Sequence, residues 1–489
     1  MRLLREEIRE VENEARILDP GPARREQLRK AVVDYAERFL DTIEDRRAYI
    51  GEKPSTSPFE FSGLNIDPVP VEELLDQMDR GLDNRGINPA SGGHLGYIPG
   101  GGVYPSALGD YLADVTNRYA GVFFANPGAV EMENMMIRWL AAAVGFPENA
   151  VGHLASGGSI ANMTAIVTAR DAAGLKGADY KSSCVYLTAQ VHHCVQKAIR
   201  IAGLSEAPVR EIPMDGRYRM DAEALERQIT ADTAAGLRPW LIVASAGTTD
   251  TGSVDPLDTI ADIAERSGAW FHVDGAYGGL FNLVDEMQPM FKGMERADSV
   301  VVDPHKTLFL PYGTGAVLLR DQSAVFNSHR YTATYLQDAL VDTLSPADIS
   351  PELTKHFRGL RMWLPLRLFG TSAFVANLRE KLLLARYFRE EVRQIDGIEV
   401  GPEPDLSVVT FRFVPQDGDA NTVNKQIIDA IHADGRVFLS STMLDGVFTI
   451  RLAAVCFRTH LHTIDLAIEV IKDAIHKVVG TTRHESAAS

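Results

Sequence analysis

The sequence predicts an α/β fold: a mostly parallel β-sheet with helices on both faces. Two observations carry this expectation. Between about residues 107 and 320, short apolar or β-branched runs alternate with segments of helical period, the pattern of a sheet whose parallel strands are linked by crossover helices. The runs are also apolar throughout, as strands buried on both faces must be. Val185-Tyr186-Leu187 precedes a helical pattern over 192–202, and Trp240-Leu241-Ile242-Val243 precedes one over 256–266. Trp270-Phe271-His272-Val273 and Val300-Val301-Val302 follow. In such sheets ligands gather at the carboxyl ends of the strands, so residues just after each run are the first candidates for a site.

The flanking regions read differently. Over 5–49 the chain is charged and helix-favouring, with Leu28, Val32, Tyr35 and Leu40 recurring at three to four residue intervals, which predicts amphipathic helices. A Pro- and Ser-containing connector over 53–58 and a Gly-rich stretch over 91–102 read as loops. After about residue 369 a helical pattern over 373–392 leads into the strand-like run 407–413, another helix and two short strands, a small α+β unit. At 489 residues the chain exceeds what one core usually organises. We expect three parts: an N-terminal helical segment over 1–105, a large domain over 106–370 and a small C-terminal α+β domain over 371–489.

A hydrophobic fraction of 45% and a charged fraction of 24% are ordinary for a globular protein, which argues against disordered, fibrous and membrane classes. The formal net charge of -17 would repel a phosphate backbone, so nucleic acid is not an expected partner. Charges interrupt the first eight residues where a secretory signal needs an apolar core, and no stretch is long enough to cross a bilayer, so the expected location is cytoplasmic. The three cysteines, Cys184, Cys194 and Cys456, lack CxxC spacing and point to reduced, buried thiols rather than a metal site.

Four motifs carry chemistry. In Val301-Val302-Asp303-Pro304-His305-Lys306 a strand breaks at a proline and presents a lysine on the following loop. A lysine in a partly desolvated site forms Schiff bases because its neutral amine becomes accessible near neutral pH; standing alone, it reads as a solvated surface charge. Thirty-two residues before Lys306, Asp274 follows an apolar strand in His272-Val273-Asp274-Gly275-Ala276-Tyr277. It could face a pyridinium nitrogen or merely cap a turn. Ser156-Gly157-Gly158-Ser159 opens a helical pattern whose free N–H groups could receive a phosphate, or it is a plain Gly-Ser turn. His192, after the Val185 run, could lie over a planar ring or be structural. With Gly247-Thr248-Thr249 at another strand end, these supply a phosphate seat, a stacking ring, hydrogen-bond donors, a counter-charge and an amine. Pyridoxal 5'-phosphate (PLP) requires each of them.

On these motifs, together with Phe357-Arg358-Gly359-Leu360-Arg361-Met362-Trp363, the chain resembles the group II PLP-dependent amino acid decarboxylases from about residue 94 almost to its end. The resemblance is closest to the aromatic-L-amino-acid branch. It implies a fold-type I PLP enzyme, aspartate aminotransferase-like, with a mostly parallel seven-stranded sheet. It also implies a homodimer with active sites at the subunit boundary, the N-terminal segment wrapping the partner. Lys306 would hold the cofactor as a Schiff base and Asp274 would pair with the ring nitrogen. His192 would stack on the ring, Ala276 would pack on its other face, and Thr248 would lie near the ring oxygen. Gly158, Ser159 and His305 fall in the cofactor's neighbourhood, Ser159 as a phosphate donor. Tyr335, 29 residues after Lys306, matches the catalytic tyrosine of the family's mobile loop.

The implied activity is decarboxylation of an L-amino acid, aromatic favoured, to CO2 and a primary amine. This chain departs from the family's pattern at Ile160, Thr307, Tyr119 and Gly121, and the last two, expected at the substrate pocket, bear on which side chain fits. Glutamate decarboxylation, aldehyde-forming decarboxylation and sphingosine-phosphate-type lyase chemistry are the alternatives within the fold. A PLP-binding homologue without turnover is the alternative outside catalysis.

Overall fold

The computed structural model describes residues 2–51, 59, 68–330 and 344–488. Near the N-terminus, helices Arg2–Ala15 and Pro22–Asp41 precede a two-residue strand β1 (Tyr49–Ile50), which pairs antiparallel with β2 (Gly86–Ile87).

The central sheet is built from β3 (Val151–Ala155), β4 (Ser183–Leu187), β5 (Val209–Glu211), β6 (Arg238–Ser245), β7 (Trp270–Asp274), β8 (Ser299–Val302) and β9 (Gly315–Leu319). Their order is β3-β9-β8-β7-β6-β4-β5. Every neighbour pair is parallel except the two that β9 makes, so the sheet is seven-stranded and mostly parallel as expected. Helices Gly158–Ala172, His193–Ile201, Ala222–Ala234 and Leu257–Ser267 link the parallel strands in succession. β3, β4, β8 and β9 are buried along their whole length, which accounts for sequences with no polar alternation.

Helix ends follow local chemistry. Asp221 caps the helix that follows it by accepting the Ala224 N–H, and Gly268 ends the next one with φ 66°, a left-handed conformation that favours glycine. A buried ion pair, Lys355 Nζ to Glu133 Oε2 at 2.6 Å, ties helix Pro127–Ala143 to the chain entering helix Arg358–Phe369. Lys355 also donates to the carbonyl of Leu154 at 3.3 Å, fixing β3 beside the site.

A second sheet, order β10-β11-β13-β12, is antiparallel and comprises β10 (Ile398–Val400), β11 (Val408–Phe413), β12 (Ser440–Leu444) and β13 (Val447–Ala453). Helices Thr371–Val392, Ala420–Asp434 and Leu461–Ala488 accompany it. Its buried Arg451 reaches back to the central sheet, donating to the carbonyls of Thr249 and Asp250 in the loop after β6. The Gly-rich stretch passes between the two sheets' loops: a Cβ at Gly96 would strike the Phe438 ring, and one at Gly100 would strike the His305 and Lys306 carbonyls. Glycine is required there by close approach.

Candidate active site

The chemistry-bearing residues converge because each lies just past the carboxyl end of a strand. β3 runs into Ser156-Gly157-Gly158-Ser159, β4 leads to His192, β6 to Gly247-Thr248-Thr249, and β7 to Ala276. Asp274 is the last residue of β7, and Asp303 follows β8. Gly158, Ser159, His192, Thr248, Asp274, Ala276, His305 and Lys306 all line one cavity of about 370 Å³. Asn162, Cys194, Asp303 and Tyr277 complete much of its wall. Tyr335 lies outside the described residues.

Lys306 sits on a one-turn helix, Pro304–Thr307, rather than on an open loop. Pro304 occupies its first position, where a missing N–H costs nothing and the ring's fixed φ suits a helix start. The turn places Lys306 Nζ 3.0 Å from Asp303 Oδ2. About a quarter of the lysine side chain is exposed, whereas the Asp303 side chain is almost fully buried. This corrects the expected charge state. Burial works to lower the lysine's proton affinity, but the carboxylates of Asp303 and then Asp274 outweigh it, so the amine is held above its ordinary value. The ion pair therefore stores the amine in its protonated form until its surroundings change.

Asp274 is buried and accepts the Ala276 N–H at Oδ1, 3.1 Å, and the Asn162 amide at Oδ2, 3.3 Å. The turn-capping alternative thus describes one oxygen, while the residue still faces the cavity. His192 likewise has two parts to play. Its Nδ1 accepts the Cys194 N–H at 3.3 Å and caps helix His193–Ile201, which leaves Nε2 to carry the ring proton. Burial holds this imidazole below the ordinary histidine value, against the pull of Asp274, so a neutral ring faces the cavity. Burial also lowers His305, whose Nδ1 donates to the Thr314 carbonyl at 2.7 Å. Thr248 Oγ1 accepts the Ser253 N–H at 3.1 Å and shares a hydrogen bond with Thr251 Oγ1 at 2.8 Å.

The glycines of the phosphate-seat motif are dictated by space. A Cβ on Gly158 would lie 2.9 Å from Asp303 Oδ2 and 3.3 Å from the Ala276 Cβ. Gly315 of β9 meets the same limit, with Asp303 Oδ1 at 2.6 Å from its would-be Cβ. Tyr119 and Gly121, expected at the substrate pocket, are not in this cavity's wall; the Tyr119 hydroxyl donates to the Leu353 carbonyl at 2.8 Å.

These residues fit PLP in the chemistry of their donor set. The Gly158 and Ser159 N–H groups that open helix Gly158–Ala172, ahead of the Ile160 and Ala161 N–H groups that donate to the Gly157 carbonyl, and the Ser156 and Ser159 hydroxyls suit a phosphate. A buried carboxylate suits a pyridinium nitrogen, a neutral imidazole suits a ring face, and a primary amine suits an aldehyde. Four contributors were not singled out from the sequence. Asp303 was legible as the residue three before Lys306, the spacing that brings two side chains together on a helical turn. Asn162, Cys194 and His272 acquire their roles only by tertiary contact.

Comparison with known proteins shows the family. Residues 66–414 match the family described as the pyridoxal-dependent decarboxylase conserved domain. An aromatic-L-amino-acid decarboxylase of Bacillus atrophaeus is 32% identical over 86% of this chain and 90% of its own. A phenylacetaldehyde synthase of Petunia hybrida is 28% identical over 83% of this chain and 85% of its own. Among solved structures, Oryza sativa TDC with PLP and tryptamine superposes with a TM-score of 0.88 at 26% identity, covering 94% of this chain and 99% of that one.

Proposed function

The chain belongs to the pyridoxal-dependent decarboxylase family, and from that premise we propose that it removes the α-carboxylate of an aromatic L-amino acid, releasing CO2 and a primary amine. It is a PLP-dependent carboxy-lyase acting on an amino acid. The observation that carries the reading is the gathering of Lys306, Asp274, His192 and the Ser156–Ser159 turn around one cavity at the strand ends. The aromatic preference draws on the relatives, among them the Bacillus atrophaeus enzyme.

When bound, PLP supplies a conjugated electron sink for the pair released as the bond from Cα to the carboxylate breaks. The chain's own residues do the rest. Lys306 Nζ would hold the cofactor covalently, and its proton, now shared with Asp303, must leave first. The Asp274 carboxylate would sit against the ring nitrogen and favour its protonated form. His192 would cover the ring with a neutral imidazole, and Ala276, small enough to leave room, would pack beneath. Ser159, through its hydroxyl and N–H, and the Gly158 N–H would receive the phosphate, with His305 beside it, and Thr248 would approach the ring oxygen. Tyr335 would return a proton to Cα, and the reaction ends as an amine rather than an aldehyde because that proton arrives. Positioning selects the bond that breaks, since the same sink serves several reactions.

The reading extends to a homodimer in the cytoplasm. The first helix exposes Leu3, Leu4, Ile8 and Val11, and helix Tyr104–Thr116 exposes Leu108, Tyr111, Leu112 and Val115, apolar faces suited to a second copy. No helix among the described residues is long and apolar enough to cross a membrane.

The test is a panel of L-amino acids incubated with the PLP-loaded protein, with CO2 and amine both quantified. Equal yields of the two from an aromatic substrate are expected. Equal yields from acidic or aliphatic substrates alone would overturn the aromatic assignment. Aldehyde in place of amine would favour the alternative suggested by the Petunia hybrida synthase, and no CO2 from any substrate would overturn the activity.

A further inference from the structure

Behind the cavity, a buried hydrogen-bond chain ends on Asp274. Alternation along β7 places Trp270, His272 and Asp274 on one face of the strand, and the parallel register sets Ser299 of β8 opposite His272. Helix Gly158–Ala172 covers that face and lowers Asn162 onto it. The contacts run in sequence. Trp270 Nε1 donates to Ser299 Oγ at 2.9 Å, and Ser299 Oγ lies 2.8 Å from His272 Nδ1. His272 Nε2 lies 2.7 Å from Asn162 Oδ1, and Asn162 Nδ2 donates to Asp274 Oδ2 at 3.3 Å. The amide also donates to the Gly158 carbonyl at 2.9 Å.

The direction of every link follows from the Asp274 end. The Asp274 carboxylate and the Gly158 carbonyl only accept, so Asn162 turns its NH2 group to them and its Oδ1 to the His272 ring. His272 must then carry its proton on Nε2, so its bare Nδ1 accepts from the Ser299 hydroxyl, whose oxygen accepts the Trp270 indole N–H. An ionised carboxylate only accepts, and it terminates the chain. Burial lowers His272 to about 4, so the ring stays neutral and keeps this tautomer through the neutral range. His272, Asn162 and Ser299 are fully or almost fully buried.

We propose that Asn162 and His272 are positioning residues that aim Asp274 at the cofactor's ring nitrogen, acting through a hydrogen-bond chain that continues through Ser299 to Trp270. This rests on the PLP reading of the cavity. Loss of a hydrogen bond to a charged group is the expected consequence of breaking the last link, worth about tenfold or more in an equilibrium that depends on that charge.

The test compares two probes on the full-length protein stripped of cofactor: PLP, and 1-deazapyridoxal 5'-phosphate, in which carbon replaces the ring nitrogen. Equilibrium titration gives the affinity ratio, and thermal unfolding of each variant is measured alongside. Wild type should prefer PLP. Asn162→Leu should shrink that preference about tenfold or more, whereas Asn162→Thr, whose hydroxyl can accept from His272 and donate to Asp274, should retain most of it. Ser299→Ala should shrink it in the same direction, and it decides the matter if Asn162→Leu does not fold. Equal weakening of both probes, or an unchanged ratio, overturns the proposal and makes the chain merely structural. A wild type that binds neither probe overturns the PLP reading itself.

Discussion

Replacing Asp303 with asparagine should make Lys306 more reactive, not less. In the structure Lys306 Nζ lies 3.0 Å from the buried Asp303 Oδ2, and the amine is held above its ordinary value despite burial. Two opposite unit charges at that separation attract by about 5 kcal/mol at an effective dielectric of 20. If about a quarter of this survives the cost of burying the pair, removing it changes the neutral fraction of the amine about tenfold at any pH well below its titration. The substituted amide keeps the size and a hydrogen-bonding oxygen but not the charge, leaving burial opposed mainly by Asp274. The assay mixes cofactor-free protein with saturating PLP and follows the visible absorbance of the attached cofactor from about pH 6 to about pH 9, a range below the ordinary lysine titration. Attachment should be faster in Asp303→Asn at neutral pH by about tenfold, with the difference narrowing as pH rises. Equal or slower attachment at neutral pH, in a variant that unfolds at the wild-type temperature, would refute the ion-pair account.

Four other outcomes follow from the same geometry. Lys306→Ala should lose the visible band and reduce turnover by more than about a thousandfold, measured as CO2 release, because among the described residues no other lysine lines the cavity. Asp274→Ala should bind PLP weakly and turn over poorly, and near-normal activity would make that carboxylate structural. Tyr335→Phe removes only the phenolic oxygen, so cofactor binding should survive while amine formation falls about 10²–10⁴-fold and aldehyde appears; wild-type amine yield would place the proton source elsewhere. Stability should fall on acidification below about pH 6.5, the ordinary histidine value. Burial lowers His94 and His272 to about 4 and His153 to about 3, so from that pH downward the unfolded chain binds protons that the folded one refuses. Asp255, raised to about 6 by burial, has the opposite sign and offsets one of them. These four groups together contribute a slope of about 3 kcal/mol per pH unit near pH 5 in urea unfolding. His192, His305 and His329, also lowered by burial, act in the same direction, and a flat profile would contradict it.

The sequence was most informative where chemistry is local. The Ser156–Ser159 turn, His192, Asp274 and Lys306 each stand beside an apolar run, and a parallel sheet brings such positions to one edge whatever the order of its strands. β3 and β9 were harder to see. Val151-Gly152-His153-Leu154-Ala155 carries a glycine and a histidine, and Gly152 is there because a Cβ would strike the Val317 carbonyl across the pair. That constraint exists only once β9 lies antiparallel beside it. The charge of Lys306 is hard to read from sequence for a related reason: desolvation can be inferred from an apolar context, but the carboxylate beside it depends on the one-turn helix that orients Asp303. The contact between Asn162 and His272 spans 110 residues, and no periodicity connects them.

Every role assigned to these residues depends on the cavity holding PLP on Lys306. Borohydride reduction of the PLP-loaded protein, followed by proteolysis and mass spectrometry, tests it most directly. The predicted result is one phosphopyridoxyl group per chain, on the peptide containing Asp303-Pro304-His305-Lys306, with the added mass on the lysine. Modification of a different lysine, or a protein that retains PLP with no reducible linkage, would contradict it.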